Sequence, residues 1–220
     1  MTINQKLVPA GCKNNPNRDM AKVEYITIHN TGNYDPGSTA KANANYLYNG
    51  SGGRQASWHY TVDANEIWQS FADKRMCWHA GDGSGKGNSA SIGIEICVND
   101  KAGFATACDL AAQLVAFLLH KHGLGAEAVK QHFDWSGKDC PSELRSGRWG
   151  VDWVKFIEMV EGYFAPPVVV PDAPSDWAKD DWAWGLEAGV TKGGAPQGPL
   201  TREQGVAMVR RGCELMKTEG

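Results

Sequence analysis

The sequence predicts an α/β protein: a mixed central β-sheet flanked by helices, followed by a small C-terminal helical domain. Three observations predict it. Short β-branched runs that alternate with period two, around Ile26, Thr61 and Ile94, are interleaved with apolar stripes of helical period over 106–122 and 149–164. Residues 165–174 carry four prolines and break both periodicities, which makes them a stiff extended linker. At 220 residues the chain is long enough for one medium domain and an appendage. The expected boundaries are 1–164 for the main domain, 165–175 for the linker and 176–220 for the small helical unit.

Val23 to His29 reads as a strand with Ile26 and Ile28 on one face and Tyr25, Thr27 and His29 on the other. After the turn Asp35-Pro36-Gly37, Ser38 is the expected N-cap of a helix running to about Tyr48 and closed by Asn49-Gly50. Ser57–Val62 and Glu66–Phe71, joined by Asp63-Ala64-Asn65, give a hairpin signal. Gly81 to Asn88, with four glycines, reads as a loop. In Ile92–Val98 the apolar residues alternate with Gly93, Glu95 and Cys97, so Glu95 points away from the apolar face of a strand rich enough in isoleucine to be central. The stripe over 106–122 ends at Gly123 and Gly125. His120 and His122 fall in its last turn, where exposure and the helix dipole suit them. A final stripe runs from Trp149 to Phe164.

The chemistry concentrates in His132-Phe-Asp-Trp-Ser-Gly-Lys-Asp-Cys-Pro141, where an imidazole, an ammonium and a thiol share one glycine-bearing segment. Zinc takes neutral imidazole and thiolate readily, and a catalytic zinc keeps three protein ligands with a fourth position open. The third ligand is expected at His29, where a β-branched strand runs into a turn. The competing reading is a structural zinc or no metal, but closed structural sites take four ligands and favour more cysteine.

Four segments in order carry a family resemblance: Ile28-His29-Asn30-Thr31; Ser57-Trp58-His59-Tyr60-Thr61-Val62-Asp63; Trp78-His79-Ala80-Gly81 with Ser91-Ile92-Gly93-Ile94-Glu95; and Gln131 through Pro141. From about Tyr25 to Pro141 the chain resembles the zinc-dependent N-acetylmuramoyl-L-alanine amidases of phage endolysins and Gram-positive autolysins, relatives of the peptidoglycan recognition proteins. The resemblance implies one zinc ion per chain held by His29, His132 and Cys140, and Glu95 as the general base for a zinc-activated water. It also implies Lys138 as a cation facing the tetrahedral intermediate. His79, Trp58 and Asn30 are the candidate substrate-binding residues, and His59 a hydrogen-bonded structural histidine. Of Trp58, Trp68, Trp78 and Trp135, one at most is expected to stack on substrate. The implied scissile bond joins the lactyl carboxyl of N-acetylmuramic acid to L-alanine in peptidoglycan.

Past the linker, Trp182-Ala183, Gly189-Val190-Thr191-Lys192-Gly193 and Leu200-Thr201-Arg202-Glu203-Gln204 resemble a single S-layer-homology repeat. Such repeats usually come in threes and share ligand sites between copies. The implied partner is a secondary cell-wall polymer, with self-association as the competing reading. A net charge of −3 gives no broad basic surface for nucleic acid. No uninterrupted apolar run long enough to cross a membrane is present, so no membrane insertion is expected. The N-terminus lacks the apolar core of a secretory signal, from which cytoplasmic synthesis followed by holin-assisted release to the wall is expected. The six cysteines show no disulfide framework and are expected reduced, with Cys97 and Cys108 as small buried hydrophobes. Two readings of function compete: a phage, prophage or host wall hydrolase, and a non-catalytic peptidoglycan recognition module of the same fold. The presence of Cys140, Glu95 and Lys138 favours the enzyme.

Overall fold

Two isoleucine-rich strands form the centre of the molecule. β2 (Tyr25–Asn30) and β5 (Ser91–Ile96) pair in parallel, and Ile26, Ile28, Ile92, Ile94 and Ile96 are all fully buried. Burying each such side chain contributes about 1.5–3 kcal/mol, which makes this pair the main apolar anchor of the sheet. The computed structural model describes residues 1–165 and 179–187. The chain divides into two compact units, Met1–Ala165 and Pro166–Gly220.

Around the central pair the first unit builds a six-stranded mixed sheet in the order β1-β4-β3-β5-β2-β6. The outer strands are β1 (Ile3–Gln5), β3 (Tyr60–Val62), β4 (Ile67–Gln69) and β6 (Val129–Gln131). β3 and β4 form the expected hairpin, antiparallel and shorter than its sequence signal, with Asp63 Oδ1 accepting from the backbone N–H groups of Asn65 and Glu66 across the turn. β3, β5, β2 and β6 run parallel to their neighbours in that order. Their C-terminal ends therefore open on one edge of the sheet, the place where open parallel sheets bind ligands.

Helix α1 (Ala40–Tyr48) packs on β3 and β4, and α3 (Phe104–His122) lays Ala111, Leu114, Leu118 and their neighbours on the central isoleucines. α3 is long and apolar enough to cross a membrane, but more than half of it is buried inside the domain, packed against the sheet and α6 (Trp153–Phe164). Shorter helices are α2 (Lys86–Ser89), α4 (Phe133–Ser136) and α5 (Ser142–Ser146).

The structure corrects several sequence expectations. The N-cap of α1 is Thr39, whose hydroxyl accepts from Ala42 N, while Ser38 receives Asn43 Nδ2 instead. The 81–88 segment is not all loop: it turns into α2 because the Asp82 carboxylate takes the N–H groups of Gly87 and Asn88. His122 is not simply a dipole-stabilised surface residue. It is partly buried and bonds Asp73, which also accepts from Lys121, Tyr60 and Gln69. In the second unit the described element is α7 (Lys179–Glu187). The linker from residue 166, the Gly189–Gly193 and Leu200–Gln204 signatures and Cys213 lie outside the described residues. The other five cysteines are free thiols, with Cys97 and Cys108 buried as expected.

Candidate active site

Three parallel strands deliver the site. His29 is the penultimate residue of β2, Glu95 the penultimate residue of β5 and the register partner of His29, and His132 follows the last residue of β6. His132 is tied back to the sheet by its backbone N–H, which donates to the Ile28 carbonyl at 3.2 Å. The chain then makes α4 and returns, with Phe133 N donating to the Cys140 carbonyl at 2.9 Å, and this closes a loop that brings the thiol beside the strand ends.

His29, His132 and Cys140 are all buried, and their candidate ligand atoms lie within 4.8 Å of one another. The two Nδ1 atoms are 3.0 Å apart, and Cys140 Sγ lies 3.8 Å from His29 Nδ1. Burial, reinforced by the neighbouring His79 and His132 rings and by Lys138, holds His29 well below the ordinary imidazole range, and burial with Lys138 lowers His132 to about 4. Both rings are therefore neutral at pH 7, the form that binds a metal. Burial and the Glu95 carboxylate push the Cys140 thiol up to about 12, so the thiolate forms here when a cation compensates it. Two neutral imidazoles and a thiol gathered this closely, with His132 and Cys140 facing an open cavity, are a donor set that fits a three-ligand zinc.

That cavity has a volume of about 950 Å³, and Glu95, Lys138, Trp58, Trp78 and His79 line it with His132 and Cys140. A second cavity of about 460 Å³ shares Trp78, His79, His132 and Lys138 with it. Burial raises the Glu95 carboxyl to about 7, with Lys138 opposing the shift. Glu95 Oε2 is buried and has no hydrogen-bond partner among the described residues. A carboxyl with one buried, unpartnered oxygen, raised toward neutrality, is costly for folding and suited to moving a proton.

The sequence-singled residues divide clearly. His132, Cys140, Glu95, Lys138, His79, Trp58 and Asn30 line the main cavity, while His29 lies buried behind it, within ligand distance of His132 and Cys140. Asn30 is nonetheless committed to the fold: its Oδ1 accepts from Glu143 N at 2.9 Å and its Nδ2 donates to the Ile96 carbonyl. Trp58 donates from Nε1 to Thr61 Oγ1 and stacks on Tyr46 with ring centroids 6.5 Å apart. Two of the four tryptophans, Trp58 and Trp78, reach the cavity, whereas Trp135 packs edge-on to Tyr25 and bonds Thr27. His59 is structural as expected: Nδ1 accepts from Gly93 N and Nε2 donates to the Arg75 carbonyl.

Sequence reasoning did not find Glu143, which is fully buried just after the Cys140-Pro141 pair and bonds Tyr34 and Arg148. Burial alone would raise its carboxyl, but these two donors outweigh it and hold Glu143 below its ordinary range. No local pattern signals it, because Tyr34 is more than a hundred residues away.

A mixed sheet whose parallel strand ends bring together a His-His-Cys group able to hold a metal and a carboxylate facing an open cavity has the layout of a hydrolase domain. The chain belongs to the Amidase_2 family of N-acetylmuramoyl-L-alanine amidases, whose model matches residues 19–143 and so spans all the residues of the triad and Glu95. It is 44% identical over 144 residues to the N-acetylmuramoyl-L-alanine amidase XlyA of Bacillus subtilis (strain 168), covering 66% of this chain and 48% of that protein. Similarity to the N-acetylmuramoyl-L-alanine amidase CwlH of the same organism is 37% identity over 168 residues, 76% of this chain and 64% of CwlH. The chain thus spans about half to two thirds of the length of these relatives. Among solved structures, the catalytic domain of XlyA superposes with a TM-score of 0.66 at 41% identity, covering 73% of this chain and 99% of that one. A mutant endolysin from Bacillus subtilis gives a TM-score of 0.66 at 42% identity with the same coverage.

Proposed function

We propose that the chain is a zinc-dependent N-acetylmuramoyl-L-alanine amidase that acts on bacterial peptidoglycan as a phage or prophage endolysin. The observation that carries this reading is the meeting of His29, His132 and Cys140, with Glu95 the register partner of His29, where His132, Cys140 and Glu95 open on one cavity. The names of the similar proteins, amidases and an endolysin, support the substrate class.

His29, His132 and Cys140 would hold the ion, which supplies Lewis acidity toward a carbonyl oxygen and toward water. Glu95 accepts a proton from the attacking water as the new C–O bond forms. It then returns that proton to the departing nitrogen as the C–N bond breaks, freeing the lactyl carboxylate and the amine of L-alanine. The Lys138 ammonium, on the cavity rim, offsets charge developing on the carbonyl oxygen. Trp58 with its Tyr46 partner supplies an apolar wall for substrate. Residues 176–220 are assigned to attachment to a secondary cell-wall polymer, and access to the wall to holin-assisted release from the cytoplasm.

Mass spectrometry of soluble products from purified Gram-positive peptidoglycan tests the reading. Free stem peptides beginning at L-alanine, absent when a zinc chelator is present, are the expected result. Wall binding without any released peptide across several wall types would replace it with the recognition-module reading.

A further inference from the structure

The two ring nitrogens of His29 face different neighbours. Nδ1 looks toward His132 and Cys140, whereas Nε2 lies 3.0 Å from His79 Nδ1. A neutral imidazole carries one proton, so the nitrogen that ligates is the one that does not hold it. His79 decides which. Its own Nε2 is 3.3 Å from the Ser91 carbonyl oxygen, which can only accept, so Nε2 of His79 carries the proton and its Nδ1 is the acceptor. The hydrogen bond between the rings then runs from His29 Nε2–H to His79 Nδ1, leaving the His29 Nδ1 lone pair aimed at the triad.

We infer that His79 is a positioning residue, which fixes His29 in the tautomer and orientation that ligate metal, a role different from the substrate contact suggested by its place in the sequence. This rests on the metal-binding reading proposed above.

The surroundings of His79 are built for that task. Its backbone N–H and that of Ala80 both donate to Asn88 Oδ1 at 2.8 Å, and Asn88 Nδ2 donates to the Gly83 carbonyl. Asp82 in turn holds the turn of helix carrying Asn88. The ring lies against Gly93 of β5, where an added Cβ would come within 2.8–2.9 Å of His79 Cγ, Cδ2 and Nδ1. A residue without a side chain between Ile92 and Ile94, in the most apolar strand of the sheet, is thus accounted for by the ring it seats. Asp82, Asn88, Gly93 and the Ser91 carbonyl together form an outer shell for a ligand more than fifty residues away in sequence, and such shells commonly set metal affinity.

The test is zinc competition against a chromogenic chelator, using the full chain as wild type, His79→Leu, His79→Asn and Gly93→Ala, with the melting temperature of each metal-free protein measured in parallel. His79→Leu is expected to weaken zinc binding by about 10–100-fold. His79→Asn places Oδ1 where Nδ1 stood and is expected to restore most of that loss. Gly93→Ala displaces the ring with both histidines intact and is expected to weaken zinc also, which keeps the inference open to refutation if His79→Leu does not fold. Nitrogen-edited NMR of the zinc-loaded wild type should show both His29 and His79 protonated at Nε2. Unchanged zinc affinity in the folded His79→Leu or Gly93→Ala protein, or a proton on His29 Nδ1, would overturn the inference. Failure of the wild type itself to bind zinc would instead overturn the functional reading on which it rests.

Discussion

His29 and Glu95 are register partners on adjacent parallel strands, so the sheet itself sets a candidate ligand and a candidate proton acceptor side by side. Neither position depends on a flexible loop. The two roles should therefore separate by mutation. Glu95→Gln is expected to bind zinc as the wild type does while losing about 10²–10⁴-fold in kcat, the usual worth of a positioned general base. Zinc titration with product assay on the same preparation checks it, and a Gln variant of undiminished kcat would remove Glu95 from the chemistry.

The same carboxylate should weaken the fold it sits in. Its folded-state value of about 7 lies above the ordinary 4.5, so ionisation is disfavoured in the folded protein. The metal-free wild type should lose stability relative to Glu95→Gln as pH rises from 4.5 through 7, with a plateau above it. The full difference is on the order of 3 kcal/mol, and below pH 4.5 the two should differ by a constant. Urea unfolding at pH 4.5 and pH 8 measures this, and parallel stabilities would show that Glu95 is not held in an unfavourable site.

Cys140→Ser keeps the loop but replaces a thiolate by a poor zinc ligand. Zinc affinity should fall by more than the roughly 10–100-fold typical of losing an outer-shell partner, and activity should go with it. Equilibrium dialysis against zinc checks the first part. A metal-replete, active Ser variant would sink the triad.

Asp73→Ala serves as the contrasting case. Asp73 is buried on α3's side of the domain, accepts from Tyr60, Gln69, Lys121 and His122, and is not among the residues lining the main cavity. Its removal leaves the buried Tyr60 hydroxyl without its acceptor and should cost about 2–4 kcal/mol of stability. Zinc affinity of the folded variant should not change, which thermal unfolding and zinc competition would show.

The parts legible in the sequence were those whose cause is local. The isoleucine alternation around Glu95 marked a central strand, and β5 is indeed bordered on both sides. The long stripe over 106–122 marked α3, which begins two residues earlier at Phe104. β1 and β6 escaped because each has three residues, Ile-Asn-Gln and Val-Lys-Gln, too short and too polar for alternation to register. α2 was hidden by the glycines around it, since what forms it is the Asp82 side chain taking the N–H groups of Gly87 and Asn88 from outside the helix. Candidate ligands could be picked out by residue type, but what orients them could not. The seat of His79 on Gly93 and the ties from Glu143 to Tyr34 and Asn30 join segments separated by 14 to more than 100 residues.

The central claim is that one metal ion on His29, His132 and Cys140 enables amide hydrolysis. The most direct measurement strips the protein of metal, returns zinc in graded amounts, and counts newly exposed alanine amines on purified peptidoglycan at each step. Amine release rising in proportion to zinc and levelling at one equivalent per chain, with no recovery in Cys140→Ser, is the predicted result. Full release by the metal-free protein, or recovery in the Cys140→Ser variant equal to wild type, would contradict it.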